Sequence, residues 1–163
     1  MIRVLIIAIG VAAAVVIDVR TRRIPNPLTA GMALAGLGLA FAGAGLTPAQ
    51  SLLGVLVGLV VMLPAHVIGG TGPGDVKLVA AIGSLVGPAL ALKVCLYSAV
   101  AGGLLAVAVA AQRGVLSSTL YGARQLVTAP AGARQEIEST ARANRFAYAP
   151  AIAAGTLAAL VLG

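Results

Sequence analysis

Apolar residues run through this chain in blocks rather than at the 3.6-residue spacing of a soluble helix, and polar residues collect at the breaks between blocks. A bilayer core takes about 20 residues of helix, within a range of about 17–25. On that ruler the pattern predicts six spans: 1–18, 28–46, 51–68, 75–86 with a possible extension through Pro88 to Leu92, a fifth from a turn at Lys93 to Ala111, and 146–162. Arg3 lies near enough to the start of the first span to snorkel to the headgroups. Asp18 closes that span, and Val19–Pro27 follows as a basic loop whose two prolines cannot both sit inside a helix. Thr47–Gln50 reads as an uncharged turn. Gly31, Gly36, Gly38 and Gly43 on the second span, and Gly54 and Gly58 on the third, are the small residues that let helices approach closely in lipid.

Composition removes the soluble alternatives. Of 163 residues 60% are hydrophobic and 9% charged, and the mean hydropathy is +1.07. Soluble domains have about 45–50% apolar and about 25% charged residues. The expected fold class is therefore an all-α membrane protein, a bundle of about six transmembrane helices forming a single domain over residues 1–163. Segment 112–145 differs, with Arg113, Arg124, Arg134, Arg142 and Arg145 against Glu136 and Glu138. It reads as a basic cytoplasmic segment, either an amphipathic surface helix or a loop.

The charges also orient the bundle. Six spans put 19–27, 69–74 and 112–145 on one side, where eight of the nine arginines fall. Arg3 and Lys93 are on the other. The positive excess marks the first side as cytoplasmic and both termini as outside. A net charge of +7 with 3% aromatic residues, confined to inter-helix segments, points to topology and anionic lipid rather than nucleic acid.

The candidate chemistry is narrow. Cys95 is alone in an apolar stretch and reads as a core residue, and His66 has no second histidine with which to build a metal site, so it reads as a satisfied polar residue. No metal or cofactor is expected. The only two aspartates, Asp18 and Asp75, fall at cytoplasmic helix ends on this topology. Asp75 at a helix N-terminus is an ordinary cap and dipole partner, whereas Asp18 at a helix C-terminus runs against the dipole and wants another reason. Gly72 and Gly74, on either side of Pro73, supply backbone conformations closed to other residues and allow another segment to approach. The loop lacks the Gly-Lys-Ser/Thr ending of a phosphate-binding loop, and an acid follows its glycines. Two carboxylates held together share a proton and titrate as a pair, one serving as base to a water while the other donates to a carbonyl. A transporter or assembly subunit that binds a cation or proton on the same two acids is the alternative.

These residues resemble the prepilin peptidases, membrane aspartic proteases marked by Gly-x-Gly-Asp. That element stands here as Gly72-Pro73-Gly74-Asp75; Asp18 followed by Ile24-Pro25-Asn26, and the tail Tyr148–Gly155, are similar to the family's other elements. The resemblance implies an inner-membrane, multi-pass endopeptidase that removes the basic leader of type IV, Flp-like prepilins at the cytoplasmic face. It implies Asp18 and Asp75 as the dyad, Gly72 and Gly74 shaping the site, Pro25 and Asn26 positioning the Asp18 loop, and contact with pilus assembly machinery. Larger members carry a cytoplasmic domain with paired CxxC cysteines and methylate the new pilin N-terminus. This chain has neither those cysteines nor room for that domain, so the short peptidase-only form, without N-methyltransferase activity, is implied. Lys77 lies two residues from Asp75, off its helix face; tuning the dyad, touching the substrate and meeting lipid headgroups all remain open for it. Leader and loops are both basic, so recognition is expected through the pilin's apolar helix packing laterally, where Gly36 and Gly58 leave room.

Overall fold

The computed structural model describes residues 1–67, 70–112, 114 and 147–162. Almost all of segment 112–145 lies outside the described residues. Six helices and no strand are found among those described: α1 (Ile2–Thr21), α2 (Asn26–Phe41), α3 (Pro48–Val67), α4 (Pro73–Val86), α5 (Pro88–Gln112) and α6 (Ala149–Leu162). This is an all-α membrane bundle. α1, α3 and α5 are each long and apolar enough to cross a bilayer; α2 and α6 are apolar but shorter. The three long helices bury only 28%, 22% and 28% of their most apolar windows inside the protein. What remains outward is Leu5, Ile9, Leu56, Val60, Leu96 and Leu104, an apolar face suited to lipid and not to water.

The centre of the bundle is α4. From Asp75 to Leu85 all its residues but Lys77 are buried, although the helix has only 14 residues. At 1.5 Å per residue it spans about 21 Å, short of a hydrocarbon core of about 30 Å. Its neighbours cover it, so it needs no lipid-facing length of its own.

Glycines set the helix directions. Gly54 of α3 lies against the backbone of Gly83, and Gly58 against Ala80, so α3 and α4 run antiparallel with backbones in contact. Gly36 of α2 abuts Ser84 while Asn26 reaches Lys77, which makes α2 and α4 run the same way. Gly10 meets Met32 between α1 and α2, and Gly155 meets Ser98 between α5 and α6. Ser51 Oγ donates to the Ser84 carbonyl over 2.8 Å, a polar link between α3 and α4 of the sort used between helices in lipid.

Local chemistry explains the helix ends. The Thr47 N–H donates to Gln50 Oε1 (3.0 Å) and the Gln50 N–H to Thr47 Oγ1 (3.2 Å), a reciprocal cap that starts α3. Gly87, at φ 81°, ends α4 in a conformation costly for any side chain, and Pro88 opens α5. The expected turn at Lys93 is therefore absent: α5 runs through it, and α4 does not extend past Val86. α1 continues one turn beyond Asp18, to a left-handed Arg22 whose N–H donates to the Asp18 carbonyl over 2.7 Å. Arg3 turns inward rather than snorkelling, its Nη1 donating to the Leu85 carbonyl (3.3 Å) at the C-terminus of α4, where the helix dipole favours a cation.

Candidate active site

Both aspartates are buried, at 6% exposure for Asp18 and 7% for Asp75. Each carboxylate meets the first turn of a helix. Asp75 is the third residue of α4, and its Oδ2 accepts from the Gly72 N–H at the cap over 2.8 Å. Gly72 has no side chain to return the favour, so this is half of a capping box. Asp18 lies in the last turn of α1, where its own helix dipole opposes a negative charge. Its Oδ2 instead accepts from the Ala149 N–H over 3.1 Å, at the first position of α6. The N-terminus of α6 supplies the stabilisation that the C-terminus of α1 withholds.

The two loops meet. A Cβ at Gly74 would stand 3.0 Å from Ile24 Cβ and 3.4 Å from the Ile24 nitrogen, so the segment after Asp18 packs directly onto the residue before Asp75. Pro25 caps α2 with an extended backbone, and Asn26 begins that helix. Asn26 Oδ1 accepts from Lys77 Nζ over 2.9 Å, a second link between the same two segments. Lys77 is exposed and this amide is the partner the structure gives it. His66 Nδ1 lies 2.9 Å from the Thr71 carbonyl, tying the end of α3 to the glycine loop, as a satisfied polar residue does.

Gly72 has φ −77° and ψ 158°, ordinary extended backbone, and neither it nor Gly74 has a positive φ. The expectation of a special backbone conformation at these two positions is corrected. They are small because Ile24 and Asp75 occupy the space a side chain would take: a Cβ at Gly72 would stand 3.1 Å from Asp75 Oδ2.

Gly36 and Gly58 do not leave room for a substrate, because α4 already fills both places. Among the described residues, open space lies between α2 and α3, in a groove of about 330 Å³. Ala30, Ala33, Val55 and Leu59 line its walls, Ala80 and Ala81 of α4 its floor, and Asn26 and Lys77 its polar end.

The sequence marked the tail Tyr148–Gly155 only by its likeness to the family and gave neither Tyr148 nor the Ala149 N–H a role. Tyr148 immediately precedes the donor to Asp18. The signal was present in Pro150, which marks a helix start and hence unpaired N–H groups just before it.

The chain matches the model of the type IV leader peptidase family over residues 5–107, a stretch that contains both aspartates and ends before α6. Among curated proteins and among solved structures nothing matches.

Proposed function

The chain belongs to the type IV leader peptidase family, which makes it a membrane protease, and on that premise we propose that it cleaves the basic leader from Flp-like prepilins at the cytoplasmic face with Asp18 and Asp75 as its dyad. One observation carries this reading. Two buried carboxylates, far apart in sequence, each sit on the first turn of a different helix, at the end of the bundle where Ile24 packs on Gly74. One carboxylate takes a proton from water as the water oxygen attacks the scissile carbonyl carbon. The other, protonated, donates to the carbonyl oxygen. Collapse of the tetrahedral species breaks the C–N bond, and the amine leaves with a proton returned by the dyad. The reaction so written needs no cofactor.

The groove between α2 and α3 is the seat for the pilin's apolar helix. Its floor is the helix that carries Asp75, and its polar end adjoins the glycine loop. The test combines both claims: detergent-purified protein is mixed with a prepilin, and the product is sized and its new N-terminus mapped. A shortened product cut after the basic leader is expected, and Ala33→Leu should raise KM several-fold with little change in kcat. An intact prepilin would overturn the peptidase assignment. An unchanged KM would remove the groove from substrate recognition.

A further inference from the structure

We infer that Tyr148 is a positioning residue that orients Asp18 by fixing the turn that carries its Ala149 donor, an inference that rests on the peptidase reading above. Three contacts converge on it. Its phenol donates to the Ser98 carbonyl of α5 over 3.0 Å. Its ring lies on Gly102, where any Cβ would collide with it. Its carbonyl accepts from the Ala151 (2.9 Å) and Ile152 (3.2 Å) N–H groups and so caps α6. The N–H of the same peptide unit, that of Ala149, is the donor to Asp18.

The corner before α6 is thus fixed by a side chain as well as by its backbone. The ring is 9% exposed and fills the space between α5 and α6, so the direction of the Ala149 N–H follows from where the ring sits. Gly102 is the complement of this arrangement: it is small because the tyrosine takes its place. Neither residue lines the groove between α2 and α3, so both act on the Asp18 carboxylate and not on substrate binding. Tyr148 also lies outside residues 5–107, and the likeness of the tail Tyr148–Gly155 to the family assigns it no role.

The test is a double-mutant cycle on the full-length protein with the prepilin substrate, reading kcat, KM and the melting temperature in detergent. Tyr148→Phe keeps the ring and loses the anchor on Ser98, and should lower kcat about fivefold to tenfold at unchanged KM, with melting nearly unchanged. Gly102→Ala, which displaces the ring, should lower kcat to a similar extent, and the two changes together should cost no more than the larger of them. A wild type that leaves the leader in place overturns the peptidase reading and this inference with it. A wild type that cleaves, while Tyr148→Phe keeps full kcat or Gly102→Ala adds its own independent loss, overturns this inference alone. A kcat loss that disappears when corrected for the folded fraction does the same, because it reduces Tyr148 to a packing residue.

Discussion

At the scale of single residues, the site is made by what is missing as much as by what is present. Gly72 and Gly74 adopt backbone angles open to any residue, yet each stands where a side chain would strike a neighbour. Gly72→Ala leaves the backbone unstrained and presses on Asp75 Oδ2, so the account predicts a kcat about tenfold lower with little loss of thermal stability. Equal activity would show that the carboxylate tolerates displacement. The acids themselves were legible in the sequence, since a chain with two aspartates and 60% hydrophobic residues draws attention to both. The partner of Asp18 was not. A backbone N–H at position 149 leaves no trace in side-chain identity, and only Pro150 hints that a helix begins there. The role of the glycines was read correctly for close approach and wrongly for conformation, because sequence reports the absence of a Cβ and not the reason for it.

At the scale of the helix, α4 decides the architecture. It is buried all round, and Gly36, Gly54 and Gly58 of its neighbours are the positions at which their backbones touch it. Gly54→Ala would place its Cβ against the Gly83 carbonyl, which cannot rotate away, and should destabilise the protein by about 1–3 kcal/mol. Gly38, with open space around it, should accept alanine with no loss or a gain of up to about 1 kcal/mol. Thermal unfolding in detergent separates the two, and similar melting for both variants would contradict the packing described. Helix existence was legible from apolar blocks bounded by Pro, Gly and charge. The Lys93 boundary was not, because a lysine on an exposed face looks the same as one in a turn, whereas Gly87-Pro88 ends one helix and starts the next by backbone geometry alone. Arg3 was misplaced for a related reason: the carbonyl that draws it inward belongs to a helix 82 positions along the chain.

At the scale of the whole molecule, Asp18 and Asp75 lie at the end of the bundle where Ile24 packs on Gly74, the end that the proposed function turns to the cytoplasm. Sidedness is testable by labelling single cysteines introduced into a Cys95→Ala background in intact cells. Arg23→Cys should react only with a membrane-permeant reagent, and Ala44→Cys, in the turn after α2, with an impermeant one as well. The reverse pattern would invert the topology. The bundle and its spans could be read from hydropathy, but which helix lies at the centre could not, since α4 is no more apolar than its neighbours and owes its burial to where they pack. The central claim is that the two aspartates work as one unit, and turnover of a prepilin by Asp18→Asn, Asp75→Asn and the double variant tests it most directly. Groups that act together lose nearly everything with the first removal, so each single variant should fall by about a thousandfold or more and the double variant no further. Normal cleavage by either single variant, or losses that multiply in the double, would contradict the shared dyad.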